Sequence, residues 1–197
     1  MGQDLSTTSY ALLGLLVFSG PDAPGMTGYE LKQRADRTLR FYWVSPAMSQ
    51  VYSELARLAD AGLVTAAFDG PTGRRDRRYR ISPTGLERLR SWQSESTPEF
   101  PILKHPVALR LLMGGLSSPE QLRQMLDDYR DSLVERRAEL TAVRESLGDR
   151  PEVAYPAMVA DWGLAYYDSE DEIVGRLTER LADARGHRPS SPSASDS

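Results

Sequence analysis

The chain has 197 residues, 40% of them hydrophobic, no cysteine and a formal net charge of −4. That composition supplies a packed core and excludes general disorder, disulfides, thiolate chemistry and cysteine-ligated zinc. No window approaches the roughly 18 apolar residues of a membrane-spanning helix. Residues 1–9 lack a basic leader and a cleavage site, so a cytoplasmic protein is expected. The charge is unevenly spread: residues 27–92 hold 12 Lys+Arg against 7 Asp+Glu, and residues 98–197 hold 12 against 18. A basic segment beside an acidic one suits a protein that meets phosphate with one part only.

The first apolar run, YALLGLLVF (Tyr10–Phe18), is hydrophobic almost all round, and its Leu and Ala content predicts a buried helix. After the linker SGPDAPGM, Thr27 and Glu30 have the spacing of a capping box. They open a short helix with Leu31, Ala35 and Leu39 inward. Ser45-Pro46 predicts the start of a third helix, with Ser45 as N-cap and Pro46 in the first helical position. Met48, Val51, Leu55 and Leu58 form its buried stripe, and Gly62 ends it. The opposite face carries Ser49, Gln50, Ser53 and Arg57, polar and nearly without acids. A recognition helix needs that composition to lie against base edges without repelling phosphate.

Leu63–Phe68 reads as a short strand, residues 69–76 (DGPTGRRD) as a turn, and Arg77–Ser82 as the return strand, with Tyr79 and Ile81 sharing one face. The tip and return strand carry Arg74, Arg75, Arg77, Arg78 and Arg80, with Asp69 and Asp76 as the only acids. Five arginines in seven residues favour phosphate binding over an ordinary solvated turn. Ser82-Pro83 opens a fourth helix with Leu86, Leu89 and Trp92 toward the core. Three helices, a basic hairpin and a further helix make a winged helix-turn-helix domain. Its expected DNA contacts are Ser45, Ser49, Gln50, Ser53 and Arg57 on the helix and Arg74, Arg75, Arg77 and Arg78 on the wing. Tyr52, at the edge of the stripe, fits core packing or a phosphate contact equally.

Three linked blocks make the resemblance specific: GYELKQ (28–33), SPAMSQVYSELARLADAGLV (45–64) and GRRDRRYRISPTGLERLRSW (73–92). In residue type and spacing the chain resembles the PadR family of transcriptional regulators over about residues 9–93. The resemblance implies a position for Tyr29 close to the DNA backbone, although its placement also suits packing at the helix start. Beyond the break SESTPEFP (94–101), two long helical stretches are expected, Pro119–Leu147 and Val153–Arg185. The first carries an apolar stripe of Leu122, Leu126, Tyr129, Leu133, Leu140, Val143 and Leu147. Burial is expected both against the second helix and against another copy of the chain. These helices, and the run DWGLAYYDSEDEIVGRL (161–177), are similar to the extended C-terminal domain of the longer PadR subfamily. What that implies is a homodimer, repression relieved by a small molecule, and a palindromic operator.

The expected fold is therefore mainly α: a winged helix-turn-helix DNA-binding domain (1–97), an all-helical dimerisation and effector domain (98–185) and a disordered tail (186–197). Tyr155, Met158, Trp162 and Tyr166 fall on one helical face and suit a small aromatic effector. The expected partners are double-stranded DNA, a second copy and that effector, with no membrane. His105 and His187 are too far apart for a metal site. Asp168, Glu170, Asp171 and Glu172 read as a solvated acidic helix face. No phosphate loop or catalytic triad is present, so neither cofactor, metal nor catalysis is expected. The alternative is a winged-helix protein-interaction module without specific DNA binding. Such a module should lose its basic wing, and this chain keeps Arg74, Arg77 and Arg80.

Overall fold

The structure, a computed structural model, describes residues 5–18, 24–68, 77–101 and 104–186. The turn expected at 69–76, with Arg74 and Arg75, and the tail expected beyond Gly186 lie outside the described residues. The chain divides into two compact units, Met1–Phe100 and Pro101–Ser197.

The first unit is built around α1 (Thr7–Val17). Ser6 caps it by accepting from the amide of Ser9. Tyr10, Leu12, Leu13, Leu15 and Leu16 are all buried. A helix apolar on every side must be covered on every side, and α1 is packed by α2 (Gly28–Thr38), α3 (Met48–Asp60), β3 (Arg77–Ile81) and α4 (Pro83–Glu95). The capping box of α2 is formed: the Thr27 hydroxyl accepts from the Glu30 amide at 3.1 Å and Glu30 accepts from the Thr27 amide at 2.8 Å. Leu31, Val51, Leu55 and Leu58 close the core with no exposed surface. Trp92 on α4 stacks on Tyr10, ring centroids 4.6 Å apart.

The hairpin strands β2 (Val64–Phe68) and β3 are antiparallel, with Val64 opposite Ile81 and Ala66 opposite Tyr79. A third strand, β1 (Met26–Thr27), pairs with the other edge of β3 through Met26 and Tyr79. The sequence did not announce it, because two residues carry no periodicity. Gly25 makes the approach with φ +83°, and a Cβ there would lie 2.8 Å from the Tyr79 carbonyl oxygen.

Helix α3 starts two residues later than expected. Ala47 occupies its N-cap without a side-chain hydrogen bond. Ser45 instead donates to Asp36 Oδ1 at 2.6 Å. The Ser45 oxygen also lies 3.5 Å from Lys32 Nζ, which pairs with the same carboxylate, so both its donor and its acceptor sides are turned to α2 rather than to the amides of α3.

The second unit contains α5 (Pro106–Leu112), α6 (Pro119–Leu147) and α7 (Ala154–Gly186), with 3-10 turns at Gly114–Leu116 and Pro151–Val153. Short α5 was not foreseen, since His105 is an unusual cap; its Nδ1 accepts from the Ala108 amide. Helices α6 and α7 run antiparallel, tied by Arg130–Asp171, Arg137–Asp168 and Arg144–Asp161. Leu126, Leu133 and Leu140 recur every seven residues and are buried within the one chain, as are Ala157, Ala160, Tyr167 and Val174. Helix α7 covers the centre of the α6 stripe, as expected of the burial against the second helix. Among the described residues, no helix is long and apolar enough to cross a membrane and no three metal-ligating side chains gather.

Candidate nucleic-acid interface

The amphipathic period of α3 sorts its side chains cleanly. Ser49, Gln50, Ser53 and Arg57 stand exposed on one face. The acid in the middle of the helix, Glu54, flanks that face and is buried, with 6% exposure. The Ser53 hydroxyl donates back to the Gln50 carbonyl at 3.0 Å, which keeps it close to the helix and leaves Gln50 to project. Tyr52 is half-buried and packs on Gly28: a Cβ at Gly28 would lie 2.5 Å from the Tyr52 ring. Of its two readings, packing is the one with a visible partner. Tyr29 is 56% exposed, its hydroxyl accepting from Gln33 Nε2 at 3.0 Å. It does not pack at the helix start.

The wing arginines separate by strand parity. Successive residues of a strand point to opposite faces, so Arg77 lies on the side of Tyr79 and Ile81, and its guanidinium stands 5.5 Å over the Tyr79 ring. Arg78 turns the other way and donates to Glu30 Oε2 at 3.1 Å and to the Gly25 carbonyl at 3.0 Å. It joins the wing to the start of α2, a role that the arginine count concealed. Glu30 is held below the usual carboxylate range, chiefly by the Thr27 amide, then by the Thr27 hydroxyl and Arg78. Arg80 shares the face of Arg78 and remains exposed. Ser45 is drawn away from this surface by Asp36.

In the second unit, Tyr155, Met158, Trp162 and Tyr166 do share one face of α7, and it is solvent-exposed, with Trp162 at 75%. Leu109, Leu112 and Leu116 add further exposed apolar surface. An open groove of about 410 Å³ lies elsewhere, between α5 and α6, lined by Val107, Arg110, Gln121, Gln124, Met125, Asp128, Tyr129 and Ser132; none of the four α7 residues reaches it. The acidic run on α7 is not simply solvated. Glu170, its side chain 12% exposed, accepts from Tyr129 Oη at 3.0 Å and lies 3.0 Å from His105 Nε2. Because His105 Nδ1 is already an acceptor, Nε2 carries the proton and donates. Burial and the Glu170 carboxylate push the Tyr129 phenol well above its ordinary value. Asp168 and Asp171 pair with arginines of α6.

A compact helical core, an exposed polar helix face and an antiparallel hairpin with arginines define the N-terminal unit as a winged helix domain of the DNA-binding type. Known proteins resemble this chain in sequence and in fold. Residues 103–173 match the family described as virulence activator alpha C-term. The chain is 26% identical over 139 residues to the negative transcriptional regulator PadR of Bacillus subtilis, covering 70% of this chain and 71% of that protein. Its fold is similar to the structure of Bacillus subtilis PadR in complex with operator DNA (TM-score 0.75, 20% identity, 89% of this chain and 99% of the other). It is similar as well to PadR in complex with p-coumaric acid (TM-score 0.71, 19% identity, 90% and 99%). A PadR-like transcriptional regulator from Bacillus cereus gives a TM-score of 0.72 at 18% identity, over 89% and 98%. In sequence and in fold the chain is similar to PadR-like transcriptional regulators.

Proposed function

We propose that the chain is a ligand-responsive transcriptional repressor that binds palindromic duplex DNA as a homodimer and works in the cytoplasm. Residues 1–97 form the DNA-binding domain and residues 98–185 the dimerisation and effector domain. The observation that carries this reading is the outward face of α3: Ser49, Gln50, Ser53 and Arg57 lie exposed while the central acid of the helix is turned into the core. Gln50 has the amide that pairs bidentately with adenine, and Arg80 and Arg77 of the wing supply phosphate contacts beside it, with Arg74 and Arg75 of the turn. The relative solved with operator DNA supports the partner, and the one solved with p-coumaric acid supports a small aromatic effector. For that effector we retain Tyr155, Met158, Trp162 and Tyr166, whose rings and thioether form an exposed apolar stripe suited to a second copy and to a planar ligand at its edge. An effector acts only through a difference in affinity between the DNA-competent and incompetent arrangements. The named relative is a regulator rather than an enzyme, and no catalysis enters this reading.

The experiment is selection of bound fragments from a random duplex library with the full chain. Recovered sites should be inverted repeats with half-sites about one helical turn, ~34 Å, apart. Gln50→Ala should weaken binding to the selected site by roughly 1–3 kcal/mol and binding to random duplex hardly at all. Arg80→Ala should weaken both and lower the salt slope by about one unit. A library that yields no enriched sequence overturns the proposal.

A further inference from the structure

A recognition helix has no evident use for a buried acid, yet Glu54 sits in the middle of α3. A carboxylate out of water is costly unless its oxygens are bonded or paired. Both oxygens of Glu54 are engaged. Oε2 accepts from the Ser9 hydroxyl of α1, and Oε1 accepts from Arg57 Nη1 at 3.1 Å. Ser9 is 2% exposed, and its hydroxyl lies 3.0 Å from that of Ser6, the cap of α1. One end of the carboxylate is therefore fixed to the core, and the other end holds a guanidinium on the exposed face of α3. Arg57 keeps 62% of its side chain in solvent.

We propose that Glu54 is a positioning residue that aims Arg57 at a guanine edge, making Arg57 a determinant of sequence preference. The inference rests on the reading that α3 enters the major groove. An arginine presents its donors as a rigid fork. With Nη1 committed to Glu54, the Nε and Nη2 edge is left, and that edge matches the paired N7 and O6 acceptors of guanine. The neighbouring negative charge also weakens the pull of Arg57 toward phosphate, which carries no sequence information. Without Glu54 the long side chain samples many rotamers and meets phosphate indiscriminately.

The test uses the full chain, a duplex selected from a random library, the same duplex with each guanine of the half-site exchanged in turn, and random duplex. Glu54→Gln preserves size and a hydrogen bond to Ser9 while removing the charge that holds Arg57. It should lower the preference for one guanine position by at least roughly fivefold. On random duplex it should steepen the salt slope by about one unit, as released Arg57 joins the phosphate contacts. Arg57→Ala should lose the same preference, and adding Glu54→Gln to it should change the preference no further. Arg57→Lys keeps the charge but not the fork, so it should lose the preference and retain affinity for random duplex. Should Glu54→Gln fail to fold, the two exposed-site variants decide the matter. Undiminished guanine preference in Arg57→Ala overturns the proposal, as does an equal effect of Glu54→Gln in the Arg57→Ala background. If Gln50→Ala abolishes recognition while Arg57→Ala leaves it intact, the groove-docking reading stands and this one is overturned. A wild-type chain that selects no site overturns both.

Discussion

Gly85 shows how a single missing side chain shapes the winged unit. On α4 it lies close enough to the β2 entry that a Cβ would stand 2.0 Å from the Leu63 carbonyl oxygen. Alanine normally stabilises a helix by up to about 1 kcal/mol over glycine. Here the obstructing atom belongs to the backbone and cannot turn aside. Gly85→Ala should therefore reverse the usual sign and cost about 1–3 kcal/mol, read from the urea midpoint of the full chain. At Gly28 the obstructing atom is the Tyr52 ring, which can tilt, so Gly28→Ala should cost less. Glu30 gives a residue-scale prediction in pH. Its folded value lies below the ordinary one because the Thr27 amide, the Thr27 hydroxyl and Arg78 favour the anion. Asp36 is depressed likewise, first by Lys32 and then by Ser45. A depressed carboxylate contributes stability that is present above the unfolded value and lost as pH falls through the folded one. Urea unfolding followed from neutrality down through the carboxylate range should show this loss, and Glu30→Gln should flatten it while lowering stability at neutral pH. An unchanged acid limb in Glu30→Gln would remove Glu30 from the account.

Among elements, the α6–α7 hairpin separates packing from charge. Leu133 is 5% exposed between two neighbours of its own stripe. Leu133→Ala should cost about 2–5 kcal/mol by opening a cavity. Arg137, paired with Asp168 in water, should matter far less when replaced by alanine. Equal losses by denaturation would mean that ion pairs, not leucines, hold the register. Elements with local signals were legible from sequence: the capping box at Thr27, the helix start at Pro119 and the apolar stripe through Leu126, Leu133 and Leu140. Elements decided by distant partners were not. Strand β1 exists because Met26 finds Tyr79. Ser45 abandons its cap for Asp36, and Arg78 leaves the arginine cluster for Glu30. No local pattern records those choices. Likewise Glu170 reads as one acid in a charged run until folding brings Tyr129 and His105 to it.

For the whole molecule, the exposed stripe of α7 predicts the assembly. An apolar surface running from Tyr155 to Tyr166 is larger than scattered surface hydrophobes require. Trp162→Asp should shift the full chain from dimer to monomer in sedimentation equilibrium, and should weaken operator binding without moving the chemical shifts of the α3 residues. A variant that remains dimeric at micromolar concentration would place the interface elsewhere. The position of α1 has a consequence for biosynthesis. It leaves the ribosome well before α4, yet Tyr10 is capped by Trp92 from that helix. A nascent chain that stops short of α4 thus leaves the Tyr10 side of α1 without its cover. Expression of this protein should accordingly depend on holdase chaperones until residue 92 has emerged, and message truncated before that codon should yield aggregate or proteolytic fragments rather than a small soluble domain.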